Sequence, residues 1–163
     1  MKGKMILTVL LLSGLSLSVF AQEWKEIDID ENISVSVPEG FERNVIAYGI
    51  IKISAMLTEG NLVIERHNLP EGIFLEDSIH NVKLLRAYCD GYLGGVGLRS
   101  EIEIVENDEF AINGAIAKMV QFKEPNGKIN KLILFKYHQF IYLIKLDGNF
   151  VDMDRILASI GFH

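Results

Sequence analysis

The sequence predicts an α+β domain in which an antiparallel β-sheet is covered by helices. Three observations carry that expectation. The first is Lys131–Leu146, KLILFKYHQFIYLIKL, which reads as two apolar strands folded back at His138-Gln139. Leu132 and Leu134 point one way and Ile133, Phe135 and Tyr137 the other, while Phe140, Tyr142, Ile144 and Leu146 oppose Ile141 and Leu143. Strand residues alternate faces, so both faces of this ribbon are apolar, and a sheet wetted on one side would carry a polar residue at every second position. The ribbon is therefore expected mid-sheet, covered above and below by helices. The second observation is a helix from about Asp77 to Leu93 with one apolar stripe: Ile79, Val82, Leu85, Cys89, Leu93 and Val96 recur at steps of three and four. The third is the order of elements, strands, a long helix, a meander of four strands and a closing helix. A parallel sheet would need a helix between nearly every pair of strands.

Each element has its own local reason. Asp28-Ile29-Asp30-Glu31-Asn32 is a polar turn, and Ile33-Ser34-Val35-Ser36-Val37 alternates as a strand with one wet face before Pro38 ends it. Tyr48–Leu57 and Leu62–His67 form a hairpin closed at Glu59-Gly60-Asn61. Asn68–Phe74 is a loop holding Pro70 and Gly72. Glu76 and Asp77 suit the positive end of the helix that follows, and Asp77 or Ser78 can cap it. Gly91, Gly94, Gly95 and Gly97 are expected to dissolve that helix. Glu101–Val105 reads as a strand, Asn107-Asp108-Glu109 as a turn, and Ala115–Phe122 as a strand entered from Asn113-Gly114. Glu124-Pro125-Asn126-Gly127 turns the chain into the central ribbon, and a helix from about Phe150 to Ile160 closes it.

The N-terminus has the three parts of a secretory signal: Lys2 and Lys4, an apolar run from Met5 to about Leu17, and small residues at Val19 and Ala21. Cleavage is expected after Ala21. Ser13, Gly14, Ser16 and Ser18 interrupt the run, which argues against a membrane span of about 20 apolar residues. The product, residues 22–163, is long enough for a single domain with a proper core, and its location is expected to be periplasmic or secreted. Loss of the two lysines leaves 14 basic side chains against 22 acidic ones, a net charge of about −8. Such a surface repels phosphate backbones, so nucleic acid is an unsuitable partner. Cys89 is the only cysteine, so no internal disulfide forms, and its place on the apolar stripe makes it a packing residue rather than a nucleophile.

Several short stretches match a known layout. The strand ending in Val37-Pro38-Glu39-Gly40-Phe41, a covering helix near the middle, Ile112-Asn113-Gly114 leading into a long meander, and a closing Ile156–Phe162 segment with Ser159 and Phe162 resemble the PsbP-like superfamily. That group includes the photosystem PsbP proteins, the Ran-binding Mog proteins and exported bacterial DcrB-like proteins. The resemblance runs from about Ile33 to Phe162. It implies an α/β/α sandwich around an antiparallel sheet and a non-catalytic accessory role involving other proteins. No binding residue transfers with it, because the matching positions are turns and core, and fold does not fix function.

Candidate chemistry is sparse. Asp28, Asp30, Asn32 and Glu39 copy several ligand positions of a calcium loop, but Ile33 stands where that loop needs glycine. The Gly91–Gly97 run closes a helix rather than opening one, so it offers carbonyls and not the N–H groups a phosphate needs. His67 and His80, with Asp77 or Glu65, form a weak candidate metal site. In Leu69-Pro70-Glu71-Gly72-Ile73-Phe74-Leu75, the residues Leu69, Ile73, Phe74 and Leu75 either clamp the helix start onto the core or form a partner-binding lip. The expected function is an exported, cofactor-free, non-catalytic binding or accessory protein of the cell envelope that engages a protein or peptide. The alternative is a small metal-dependent enzyme or metal-binding protein built on His67, His80 and nearby carboxylates.

Overall fold

The computed structural model describes residues 22–70, 78–97, 101–148 and 150–163. The predicted signal segment lies outside the described residues. Ten strands and two helices follow in order: β1 (Trp24–Asp28), β2 (Ile33–Pro38), β3 (Glu42–Val45), β4 (Ile51–Leu57), β5 (Gly60–Asn68), α1 (Ser78–Gly97), β6 (Glu103–Ile112), β7 (Ala115–Lys123), β8 (Ile129–Tyr137), β9 (Phe140–Gly148), α2 (Val151–Ala158) and β10 (Gly161–Phe162). They form a three-stranded sheet, β1-β2-β10, and a seven-stranded sheet, β3-β4-β5-β9-β8-β7-β6. All the strand pairs are antiparallel. The large sheet is two meanders, β3-β4-β5 and β6-β7-β8-β9, joined where β5 pairs with β9.

The apolar ribbon is β8–β9, at the centre of the large sheet as expected, with its turn at His138-Gln139. The face pattern is as the alternation predicts. Leu132, Leu134, Ile141 and Leu143 join Leu85, Cys89, Val120 and Phe122 in a core beneath α1. Ile133, Phe135, Tyr142, Ile144 and Leu146 join β2, β4 and α2 in the opposite core through Val35, Ile53 and Ile156. Only one face is covered by a helix alone, however. The other is closed by the small sheet together with α2, so the expected three-layer α/β/α arrangement is met only in part: the sheets are antiparallel and dominate, and two helices accompany them.

Four local expectations are corrected. The wet face of β2 is closed: Ser34 is 1% exposed, because β10 pairs beside it and a Cβ on Gly161 would come within 2.6 Å of its Oγ. Helix α1 runs through its glycines to Gly97; packing on the sheet outweighs their cost of about 1 kcal/mol each. The Asn107-Asp108-Glu109 turn is the interior of β6, which pairs continuously with β7 from Glu106 to Ile112 and reverses only at Asn113-Gly114. There, left-handed φ values of 47° and 89° supply the two-residue hairpin. Finally, Tyr48 does not begin a strand; Ala47–Gly49 is a single 3-10 turn between β3 and β4.

The residues that carried the family resemblance are stitches. Ser159 Oγ accepts the Ser36 N–H at 2.8 Å and donates to the Ile156 carbonyl at 2.7 Å. Asn113 Nδ2 donates to the Ile160 carbonyl at 2.7 Å, and Phe162 stacks on Tyr137 with centroids 4.4 Å apart. Together they fasten the C-terminal segment across the small sheet.

Two glycines mark the tightest approach in the large sheet. Gly60 and Gly148 are paired across β5 and β9, and a Cβ on Gly60 would sit 1.7 Å from the Asp147 carbonyl oxygen. Gly94, by contrast, has nothing within 4 Å of where a Cβ would stand. Gly60→Ala is therefore expected to destabilise the domain by more than about 2 kcal/mol, whereas Gly94→Ala stabilises it by about 0.5–1 kcal/mol, both read from urea unfolding.

Candidate functional site

One end of the large sheet gathers the β3–β4 connection, the end of β5 and the His138-Gln139 turn. Arg66 organises this end. Its position on β5, across from Tyr142, places it over the β2 side of the sheet. Nη1 lies 3.5 Å from Asp30 Oδ2, Nη2 donates to the Gly49 carbonyl at 3.1 Å and to Asn68 Oδ1 at 3.2 Å, and the guanidinium sits 4.3 Å from the Phe140 ring centre. A planar, five-donor group suits such divided contacts where an ammonium does not.

Asp30 is the counterpart. Its Oδ1 accepts the N–H groups of Asn32 and Ile33 at 2.9 and 3.1 Å, and Oδ2 accepts the Tyr142 hydroxyl at 2.7 Å. Burial first, and then that bond to the carboxylate, raise the Tyr142 pKa. Both carboxylate oxygens thus hold the chain in place, and the stretch that copies calcium-ligand positions is a pinned turn.

Through Arg66 and Asn68, this network fixes the β3–β4 connection. Asn68 Nδ2 donates to the Tyr48 carbonyl at 3.3 Å, and the Ile46 N–H bonds the Ile50 carbonyl at 2.9 Å. Tyr48 is held at φ 63°, a left-handed conformation costly for a residue with a bulky side chain. Its ring gains no burial in return: Tyr48 is 92% exposed and Val45 71%, with Ile46 exposed beside them. An ordered apolar tip with strained backbone is the most distinctive surface at this end. Reading the sequence alone misses it, because Val45, Ile46 and Tyr48 blend into the apolar run that continues through β4; Gly49 is the one turn signal.

The residues singled out from sequence divide as follows. Leu69 is 7% exposed in the core beneath α1, and its N–H bonds the Gln139 carbonyl at 3.0 Å. Packed in this way, Leu69 suits the clamp rather than the lip of the two roles expected for it. Ile73, Phe74, Leu75 and Asp77 lie outside the described residues. His67 faces the α1 side, 2.9 Å from Glu65 Oε2 and edge-on to Tyr88 at 6.2 Å. His80 is exposed in the first turn of α1. Among the described residues, no three His, Cys, Asp or Glu side chains converge as a metal site would require. Cys89 is buried, and its thiol pKa is raised by that burial.

No family model matches the chain, and no curated protein does. Among solved structures, it is similar to the solution structure of cyanobacterial PsbP (CyanoP) from Synechocystis sp. PCC 6803, with a TM-score of 0.62 and 10% identity over 90% of this chain and 96% of that one. The fold is PsbP-like. A crystal structure from Bacteroides thetaiotaomicron has a TM-score of 0.47 at 10% identity, with 80% of this chain and 45% of that chain covered. At such identity the likeness to PsbP shows architecture alone. No helix among the described residues is long and apolar enough to cross a membrane.

Arg66→Lys should loosen the tip while leaving the sheet intact. A loss of about 1–3 kcal/mol in urea unfolding is expected, with amide shifts centred on residues 46–50. A second expectation concerns acid. The hydrogen bond from His67 holds the Glu65 carboxyl below its ordinary value of 4.5, helped by the charges of His67, Lys52 and Lys145 against the cost of burial. A depressed carboxylate adds stability that is fully present above its unfolded value and is lost as pH falls through its folded value. Glu65→Gln should therefore lower the urea midpoint at neutral pH and flatten its decline below about pH 4.5, the two proteins converging in acid.

Proposed function

We propose that this chain is an exported, non-catalytic binding or accessory protein of the cell envelope, working without a cofactor and engaging a protein or peptide partner through the Val45–Tyr48 tip. The observation that carries this reading is the combination at Tyr48 of exposure, strained backbone and rigid support from Arg66 and Asn68. Strain of that kind persists where surrounding structure enforces it and clusters at sites of recognition. A preordered aromatic at the centre of an apolar patch is also the residue type that dominates interface energies, because little side-chain freedom is lost on docking. The leader-like N-terminus supports export.

A photo-crosslinking amino acid placed at Tyr48 in the full chain, expressed in cells, should yield one discrete adduct. The same group at Val151, an exposed apolar residue in the first turn of α2, should not. Tyr48→Gly should abolish adduct formation by a crosslinker at Val45 while raising stability by up to about 1 kcal/mol, because glycine relieves the left-handed strain. Identical adduct patterns at Tyr48 and Val151, or unimpaired capture in Tyr48→Gly, would contradict the reading.

A further inference from the structure

Among the described residues the large sheet has two unpaired margins, β3 and β6, and they differ in kind. β3 has four residues; β6 has ten. From Glu103 to Glu109 every residue of β6 is exposed. Its pairing with β7 fixes which backbone groups are unused. Ile112 and Ala115 flank a two-residue turn and so form a doubly hydrogen-bonded pair, and such pairs recur at every second residue along an antiparallel ladder. Phe110, Asp108 and Glu106 therefore direct their N–H and C=O groups inward, while Asn107, Glu109 and Ala111 direct theirs outward. This is a three-residue template for another strand.

The charge along that template is acidic, with Arg86 and Lys118 beside Glu109 alone. Glu103, Glu106 and Asp108 engage no cation at ion-pair distance among the described residues. Glu109 is paired with Arg86 at 2.7 Å. Next to the edge, between α1 and the β6–β7 hairpin, lies a polar groove of about 410 Å³ lined by Arg86, Asp90, Asn107, Asp108, Glu109 and Lys118. At its floor Lys118 is 7% exposed and is held by Asn107, with Glu109 3.9 Å away. The lysine thus fixes Asn107 and Glu109, two of the three outward-facing positions, and rigidifies the margin. A second copy of this chain would set acid against acid along β6, which disfavours self-pairing. A basic strand meets no such penalty. The exposed side chains of Ile104 and Val105 add apolar contact at the far end, where the ladder bulges between Ile104 and Glu106.

We propose that the free margin of β6 takes up an extended, lysine- or arginine-bearing segment of a partner protein as an eighth strand of the large sheet. Main-chain bonds would form to Asn107, Glu109 and Ala111, and basic side chains would lie against Glu103, Glu106, Asp108 and Asp90. The inference rests on reading the chain as a binding module, and it adds a second surface on the margin opposite the Tyr48 tip.

The test uses the intact domain and a synthetic nine-residue peptide alternating lysine with threonine, with the same peptide carrying glutamate as its counterpart. Amide hydrogen exchange should show the lysine peptide slowing Asn107, Glu109 and Ala111 by at least about tenfold, and the glutamate peptide leaving them unchanged. Ala111→Pro removes one outward N–H that a strand at an open margin can do without, and should abolish the protection. Glu106→Lys combined with Asp108→Lys keeps the backbone and should weaken binding at least about tenfold, as should raising the salt from about 0.05 to 0.5 M. Tyr48→Gly should leave this binding intact. Equal protection by both peptides, protection elsewhere than β6, undiminished binding in the double charge variant, or dimerisation through β6 would overturn the inference. Loss of the Tyr48 adduct pattern with β6 uptake preserved would instead overturn the tip alone.

Discussion

A ribbon with no polar face cannot sit at a surface, and the β8–β9 hairpin is such a ribbon. Burying a Leu, Ile or Phe side chain is worth roughly 1.5–3 kcal/mol, and this hairpin carries them on both sides along most of its length. Coverage must therefore come from two directions. It comes from distant parts of the chain: α1 lies on one face, and β2 with α2 helps close the other. The crossover from β5 to β6 carries α1 over the sheet, and the C-terminal segment returns to be sewn to β2 by Ser159 and to the β6–β7 turn by Asn113. The centre of the sheet thus dictates where α1, β2 and the C-terminal segment go.

With the middle of the sheet sealed, its distinctive exposed features lie at the rim, and the two margins of the large sheet differ in kind. At the β3 end the strained Tyr48 is propped by Arg66 and Asn68 in an apolar tip; at the β6 end a long acidic margin lies open. The PsbP-like likeness, at 10% identity, shows the architecture alone.

Alternation made the ribbon legible, because two-residue periodicity survives in any context that keeps both faces dry. The helix was legible from its stripe, but not its end: glycine weakens an isolated helix, while here residues as far as Val96 pack against the core beneath α1. The Asn107-Asp108-Glu109 stretch has turn residues yet lies mid-strand, since pairing with β7 and contacts to Lys118 and Arg86 override local preference. The burial of Ser34 was hidden because β10, the strand that pairs beside it, is only two residues long. The Tyr48 tip left Gly49 as its one signal, and Arg66 left none: an arginine that holds a loop looks like any charged residue at a strand end.

Native-state hydrogen exchange across the whole domain bears on all of this at once. Amides of residues 132–135 and 141–146 should exchange last, through global unfolding, with the same free energy as the urea transition and in step with the α1 and β2 amides that cover them. Exchange of those ribbon amides by local opening, faster than the amides paired between β3 and β4 at the sheet margin, would contradict a fold built outward from a two-faced apolar ribbon.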